Sequence, residues 1–286
     1  MPYLELEGLK LHWQQTGEGP DVVLVHAFTS NLAIWMLTGV VEQLSARYRV
    51  TSYDLRGHGA SSVPPTGYTS AQMVEDFRQL HGELGLGPAY LVGHSFGGVI
   101  GMHAALEYPE LVRGVVLSDS YFPGLRQLEP EMGQAEVWQD LRATFGEVGE
   151  EIGDNVDFQR LFETVRALSS EQLGTIQEKM GPAGTRWLSQ IGQLADTTAG
   201  RDTFETAGLT AERLSTISQP VLALYDELSP FPTTCRWLEE QLPNCRSAIV
   251  PDAKHLAPVQ NPQAFCELVL EALDGWQQQA AVSGCR

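Results

Sequence analysis

The segment from Ala89 to Gly98 constrains the fold more than any other part of the chain. It opens with a short apolar run, the length of a strand buried on both faces, and a helical pattern follows without a loop. The joint reads Gly93-His-Ser-Phe-Gly97, a G-x-S-x-G sequence whose glycines permit a sharp strand–helix turn. Such a turn presents the hydroxyl of Ser95 above the edge of a sheet. We therefore interpret Ser95 as a nucleophile.

Short apolar runs alternate with helical patterns over most of the chain. This alternation predicts an α/β fold, with a mostly parallel sheet of about eight strands covered by helices. The predicted strands span residues 4–6, 9–13, 21–26, 48–53, 89–93, 112–118, 220–225 and 247–250. The predicted helices span residues 32–46, 70–84, 96–108, 233–242 and 262–276. Thr69 or Ser70 is expected to cap the second helix.

The alternation stops after Tyr121 and resumes at Pro220. Residues 122–218 show helical patterning divided by glycines and prolines, without a strand pattern. We expect residues 1–121 and 219–286 to form one core and residues 122–218 to form a helical lid. The aromatic residues at this segment either line an apolar pocket or form its own core: Tyr121, Phe122, Trp138, Phe145, Phe158, Phe162, Trp187 and Phe204.

The charge balance is strongly acidic, with 18 Lys and Arg against 36 Asp and Glu. A net charge of −18 disfavours binding to nucleic acid or to an anionic membrane. We interpret this charge as a feature that promotes solubility. No apolar run reaches the roughly 20 residues of a membrane span, and the first ten residues do not resemble a signal peptide. The four cysteines lack metal-ligand spacing. We expect free thiols and a cytoplasmic location.

Three further segments match one family. His26-Ala-Phe-Thr29 resembles the H-G-x-x oxyanion segment of the α/β-hydrolase-fold superfamily. Residues 54–61, Asp-Leu-Arg-Gly-His-Gly-Ala-Ser, are similar to the D-x-R-G-x-G-x-S turn of its esterase-like and C–C hydrolase-like members. Residues 249–255, Ile-Val-Pro-Asp-Ala-Lys-His, resemble the final strand and turn that deliver the catalytic histidine. The resemblance extends over nearly the whole chain and implies the α/β-hydrolase fold.

The same resemblance assigns the oxyanion hole. It implies that the backbone amides of Phe28 and Phe96 hold the negative charge that develops on a substrate oxygen. The chain departs from the family at Ala27, where glycine is usual. Alanine is tolerated at this position if its φ is negative.

The catalytic base is selected by chain order. The family order of serine, acid and histidine requires a late histidine, and His255 alone follows Asp119. We therefore expect His255 to be the general base. We expect structural hydrogen bonds from three histidines in motif loops: His26, His58 and His94. We expect His12 and His81 at the surface or at a strand edge, and His103 packed in the helix behind Ser95.

The catalytic acid has two candidate positions. Most relatives carry it in a G-x-x-D turn after the strand at residues 220–225, but here Asp226 occupies the glycine position and Ser229 the acid position. Either Asp226 or Glu227 acts as the catalytic acid after a local rearrangement of the turn, or the acid is carried by another strand. Asp119 ends the preceding strand, where some family members place their acid. A carboxylate at Asp119 would explain why the usual acid position holds Ser229 instead. We therefore favour Asp119 over Asp226 as the acid.

These residues predict hydrolysis through an acyl-enzyme. A serine nucleophile excludes the aspartate-nucleophile branches of the family, and the chemistry needs no cofactor or metal. We expect a carboxylesterase for small, fairly apolar esters or lactones, with a small molecule as its partner. One alternative is a C–C bond hydrolase or a related cofactor-free reaction. Another, from a different class, is a receptor-like module that binds a ligand on the same fold.

Overall fold

A computed structural model of the chain describes residues 2–283. Eight strands form one sheet. They are β1 (Tyr3–Leu6), β2 (Leu9–Thr16), β3 (Asp21–Val25), β4 (Arg49–Tyr53), β5 (Ala89–His94), β6 (Val112–Ser118), β7 (Val221–Asp226) and β8 (Cys245–Val250). The predicted α/β fold and its eight mostly parallel strands are confirmed.

The strand order is β1-β2-β4-β3-β5-β6-β7-β8. The pairings of β2 with β1 and with β4 are antiparallel, and all later pairings are parallel. In the parallel part, His94 pairs with Ser118, Ser118 with Leu224, and Asp226 with Val250. The carboxyl ends of β5, β6, β7 and β8 therefore meet at one edge of the sheet, where open α/β sheets bind ligands.

Twelve α-helices accompany the sheet within the described residues. They are α1 (Ala33–Leu37), α2 (Val40–Ser45), α3 (Ser70–Glu83), α4 (Phe96–Glu107), α5 (Glu136–Gly146), α6 (Phe158–Ala167), α7 (Ser170–Leu194), α8 (Ala199–Asp202), α9 (Ala211–Leu214), α10 (Pro232–Gln241), α11 (Ala257–Gln260) and α12 (Pro262–Ser283). Thr69 caps α3, because its side chain accepts a hydrogen bond from the amide of Gln72. No helix of residues 2–283 is both long and apolar enough to cross a membrane.

Two apolar layers cover the sheet because successive strand residues point to opposite faces. Val23 and Val25 of β3 join the core built with α3, α4 and α10. Val22 and Leu24 join the core built with α1, α2 and α12. Burial on both faces explains why each central strand reads as a continuous apolar run rather than an alternating one.

The single helix predicted for residues 32–46 is wrong. Two short helices, α1 and α2, occupy this range, and Gly39 between them has a left-handed φ of 77°. At the end of α1, both the amide and the hydroxyl of Thr38 donate to the carbonyl of Ile34. The apolar pattern continues across the break, so periodicity alone did not reveal it.

Residues 122–218, called the inserted segment below, lie between β6 and β7. The regular elements described there are all helical: the 3₁₀ turns Pro123–Leu128 and Met132–Gln134, followed by α5 to α9. Helix α7 is interrupted at Gly181, whose φ of 67° and ψ of −166° are not helical, and Pro182 follows it. Cys235, Cys245 and Cys266 are free thiols, whereas Cys285 lies outside the described residues.

Candidate active site

Ser95 lies on a strained turn between β5 and α4. Its φ of 51° and ψ of −116° lie outside the conformations that a side-chain-bearing residue favours. Two glycines make the turn possible. A Cβ on Gly93 would lie 2.3 Å from the carbonyl carbon of Gly97, and a Cβ on Gly97 would lie 2.1 Å from the carbonyl oxygen of Val25. Both contacts are with backbone, so neither glycine can be replaced without moving the chain.

Replacing Gly97 with alanine should lower the free energy of unfolding by about 3 kcal/mol, because backbone has to shift to admit the methyl group. Gly101→Ala is the matched control on the same helix. Its Cβ would meet only side chains, with Val115 at 3.2 Å and Leu91 at 3.6 Å, and the better helix propensity of alanine offsets the crowding. Urea denaturation measures both variants. Equal stability of the two would contradict the close approach of α4 to β3.

The backbone of Ser95 is fixed to the end of β6. Its amide donates to the carbonyl of Ser118 at 2.7 Å, and its carbonyl accepts from the hydroxyl of Ser120 at 2.8 Å. The hydroxyl of Tyr225 in turn donates to the carbonyl of Ser120 at 2.8 Å. The strained turn is thus held from outside by Ser118 at the end of β6 and by Ser120 just beyond it, as such a conformation requires.

His255 and Asp119 form the close pair of the site. His255 Nδ1 lies 2.7 Å from Asp119 Oδ2, and the Asp119 side chain is fully buried whereas a quarter of the His255 side chain is exposed. Asp119 Oδ1 accepts a hydrogen bond from the amide of Asp226 at 3.2 Å. The carboxylate therefore has a fixed orientation, with one oxygen turned toward the imidazole.

His94, which directly precedes Ser95, holds the loop that carries His255. Its Nε2 lies 2.7 Å from the carbonyl oxygen of His255 and must donate, since a carbonyl only accepts. Burial, followed by the proximity of His255, lowers the pKa of His94 to about 4, so the ring is neutral near pH 7. The structural role predicted for His94 did not include this partner, because the contact joins residues that are 161 positions apart.

The second acid candidate, Asp226, faces backbone. Its Oδ2 accepts from the amide of Ala257 at 3.0 Å, and its Oδ1 has no partner among the described residues. Burial, followed by repulsion from Asp119, raises the pKa of Asp226 to about 7. Ser229 accepts from the amide of Phe231 at 2.9 Å. The structure thus brings Asp119 to His255 and directs Asp226 to the start of α11.

The oxyanion segment is fixed through the peptide between Ala27 and Phe28. The Ala27 carbonyl accepts from His26 Nδ1 at 2.8 Å and from the amide of Ser30 at 3.1 Å. In a trans peptide the N–H points opposite to the C=O, so these two bonds also set the direction of the Phe28 N–H. Ala27 has a negative φ, which satisfies the condition for alanine at this position. The Phe96 amide is the first of α4 and has no acceptor within the helix.

His26 and His58 support this segment as neutral rings. His26 Nε2 accepts from the amide of Leu55 at 3.0 Å, and His58 Nε2 accepts from the amide of Thr29 at 3.0 Å. Burial lowers the pKa of His26, and burial together with His26 lowers the pKa of His58 to about 3. Both rings make structural hydrogen bonds, as their positions in motif loops predicted.

Backbone strain concentrates at this edge of the sheet. Six non-glycine residues of the described chain have a positive φ. Three of them are Ser95, Asp119 and His255, with φ of 51°, 48° and 66°, and a fourth is Thr29 with φ of 62°. Strained conformations of this kind cluster at functional sites, because the surrounding structure must hold them at a cost. The strain therefore marks these residues independently of their side-chain chemistry.

Aromatic rings extend from the oxyanion segment into the inserted segment. The Phe28 ring lies 6.0 Å from Phe96 and 5.4 Å from His58. It also contacts two rings of α6, Phe158 at 5.3 Å and Phe162 at 5.9 Å. The Phe28 ring thus links the start of α4 to α6.

A second run of rings returns to His255. The Phe204 ring lies 5.6 Å from Phe158 and 6.2 Å from Tyr121. Phe231 lies 5.5 Å from Tyr121 and 5.6 Å from the imidazole of His255. We call this continuous series the aromatic arc: Phe28, Phe158, Phe204, Tyr121 and Phe231. Other aromatic residues that the sequence left open between pocket and core are buried: Phe122, Trp138, Phe145 and Phe162.

The fold and the site together define a class: an α/β sheet protein with a strained serine after a central strand and a histidine–aspartate pair at the same edge. Residues 20–262 match the family model described as alpha/beta hydrolase fold. The chain belongs to this family.

Named relatives and solved structures agree with that membership. The chain is 27% identical over 270 residues to a pimeloyl-[acyl-carrier protein] methyl ester esterase from Yersinia enterocolitica, covering 92% of this chain and 96% of the relative. A 2-(acetamidomethylene)succinate hydrolase from Mesorhizobium japonicum is 37% identical over 116 residues, which cover 41% of each chain. The enol-lactonase from Burkholderia xenovorans LB400 has a TM-score of 0.67 at 23% identity, covering 96% of this chain and 100% of the lactonase. At that identity the structural likeness shows the fold.

Proposed function

We propose that the protein is a serine hydrolase that cleaves small, uncharged and fairly apolar carboxylic esters or lactones through an acyl-enzyme on Ser95. The observation that carries the proposal is the 2.7 Å contact of His255 Nδ1 with Asp119, on a loop that His94 anchors beside the strained Ser95. Ester hydrolysis is also the activity in the name of the Yersinia relative.

Acylation follows from the tautomer that Asp119 selects. A carboxylate only accepts, so His255 donates its Nδ1 proton to Asp119 and keeps a lone pair on Nε2. Nε2 removes the proton of the Ser95 hydroxyl while Oγ attacks the carbonyl carbon of the ester. The buried carboxylate then stabilises the imidazolium that results.

The negative charge formed in this step moves to the former carbonyl oxygen. The amides of Phe28 and Phe96 are the proposed donors to it, and the direction of the first is fixed by the bonds to the Ala27 carbonyl. The tetrahedral intermediate collapses, the C–O bond to the alcohol breaks, and His255 returns the proton to the leaving oxygen. Water then repeats the sequence on the acyl-enzyme and releases the carboxylic acid.

The surroundings of Ser95 favour an uncharged substrate. The aromatic arc offers ring faces and edges rather than charged groups to an acyl chain. The inserted segment, which we propose acts as the lid, carries 16 Asp and Glu against 8 Lys and Arg. Its acidic surface repels an anionic substrate, which lowers the rate of encounter.

A fluorophosphonate probe tests the nucleophile, and a pair of matched esters tests the substrate class. We expect one adduct per chain, located at Ser95 by peptide mass spectrometry. We also expect 4-nitrophenyl butyrate to be hydrolysed with a kcat/KM at least about tenfold higher than that of the 4-nitrophenyl monoester of succinic acid, which differs chiefly by its carboxylate.

Three results would contradict the proposal in whole or in part. An adduct at another residue, or none at all, would reject the nucleophile. Binding of esters without turnover would favour the receptor-like module instead. A preference for the charged monoester would keep the serine chemistry but reject the uncharged substrate class.

A further inference from the structure

Thr29, which follows the proposed oxyanion donor Phe28, has a conformation that its own chemistry disfavours. Its φ of 62° is left-handed, and a β-branched residue rarely adopts that region. Two bonds hold it from the core: its amide donates to His58 Nε2 at 3.0 Å, and its hydroxyl donates to the Phe28 carbonyl at 2.6 Å. The second bond fixes the peptide that follows Phe28.

A third bond to Thr29 comes from α7 in the proposed lid. Trp187 Nε1 donates to the hydroxyl oxygen of Thr29 at 3.0 Å. One turn further along α7, the Gln190 amide donates to the Gly57 carbonyl at 2.7 Å and accepts from the Gly59 amide at 3.2 Å. Gly57 and Gly59 flank His58, so one face of α7 holds both the Thr29 side chain and the loop that supports the Thr29 backbone.

We propose that Trp187 is a positioning residue, through which the lid completes the oxyanion hole. This inference rests on the proposed function. The indole N–H only donates, so it occupies a lone pair of the Thr29 hydroxyl and leaves the hydroxyl proton for the Phe28 carbonyl. Loss of the indole bond frees the hydroxyl to rotate. Thr29 then relaxes toward negative φ, and Phe28 turns with it.

The consequence is that α7 acts on the rate of acylation in addition to covering the site. A donor that is displaced from the oxyanion weakens binding of the transition state but not of the ground-state ester. The expected signature is therefore a lower kcat with little change in KM, which loss of a pocket wall would not produce.

The experiment compares four variants with 4-nitrophenyl butyrate as the substrate. Trp187→Phe keeps an aromatic ring but removes the N–H and should lower kcat about tenfold, with KM within about twofold. Thr29→Val removes the hydroxyl and should lower kcat similarly. The double variant should lose no more than either single one, since both changes break the same bond. Thr29→Ser keeps the hydroxyl and should remain near wild type.

Trp138→Phe is the control, because Trp138 is also in the inserted segment and donates its N–H to the Gly153 carbonyl at 3.2 Å. It should keep the kcat of the wild type. Thermal unfolding of every variant separates lost folding from lost positioning. A change in KM alone in Trp187→Phe, or additive losses in the double variant, would overturn the inference. A wild type without turnover would refute the proposed function and this inference together, whereas an active wild type with an unaffected Trp187→Phe variant would refute the inference alone.

Discussion

Ser95→Ala should lower kcat for 4-nitrophenyl butyrate by about 10⁶-fold while the protein stays folded. Alanine lacks the oxygen that forms the acyl-enzyme, so only direct attack by water remains. The strained backbone at residue 95 persists, because it is held by the Ser118 carbonyl and the Ser120 hydroxyl rather than by the Ser95 side chain. Steady-state kinetics and thermal unfolding measure the two effects separately.

The chain offers a stringent control for this prediction in a buried serine–histidine contact elsewhere in the core. Ser70 Oγ lies 2.9 Å from His103 Nδ1, and Glu107 lies 3.7 Å from His103 Nε2, so the contacts alone imitate a catalytic triad. Ser70 and His103 are only 2% and 1% exposed, however, which leaves no room for an ester. Ser70→Ala should therefore keep the turnover of the wild type. Loss of activity in Ser70→Ala with retention in Ser95→Ala would reverse the assignment.

Ser95 and Ser70 differ in the properties that the proposed nucleophile requires. Ser95 has a strained φ of 51°, is half-buried and follows a strand at the carboxyl edge of the sheet. Ser70 begins α3 without a positive φ, and its hydroxyl is sealed against the neighbouring helix. The contact with a histidine therefore does not identify the nucleophile, whereas exposure and backbone strain separate Ser95 from Ser70.

The sequence predicted the strands well because parallel strands buried on both faces are short, continuous apolar runs. The strand predicted at residues 112–118 has the bounds of β6, and the one predicted at residues 89–93 differs from β5 by one residue. The helix predicted at residues 32–46 failed because one left-handed glycine, Gly39, interrupts an apolar pattern that continues beyond it. A hydrophobic pattern indicates which residues are buried, but it does not indicate that one residue within it has a positive φ.

The sequence predicted the positions of the candidate site residues only where they follow predicted strands. Ser95, Asp119 and His255 each follow a strand or its turn, so a parallel sheet gathers them at one edge. Asp119 and Asp226 end neighbouring strands, and the choice between them depends on side-chain directions that no pattern encodes. The bond from Trp187 to Thr29 joins residues 158 positions apart and was not indicated by any motif.

Asp119→Asn should lower kcat by about 10⁴-fold without loss of the fold. The reason lies in the second partner of the side chain. The amide of Asp226 donates to Asp119 Oδ1, so the carbonyl oxygen of an asparagine is required there, and its NH₂ group is turned toward His255 Nδ1. A donor at Nδ1 forces the imidazole proton onto Nε2, and that tautomer cannot remove a proton from Ser95.

Asp226→Asn is the matched control, since it makes the same change in the neighbouring carboxyl group. An asparagine oxygen still accepts from the Ala257 amide, and its NH₂ group occupies the position of an oxygen that has no partner among residues 2–283. Burial and the charge of Asp119 raise the pKa of Asp226 to about 7, so near neutral pH the wild-type group is already protonated in a large fraction of molecules. Neutralising it should change kcat by less than about tenfold. Wild-type turnover in Asp119→Asn together with collapse in Asp226→Asn would move the acid to Asp226, and equal, modest losses in both would mean that the two carboxyl groups share the histidine.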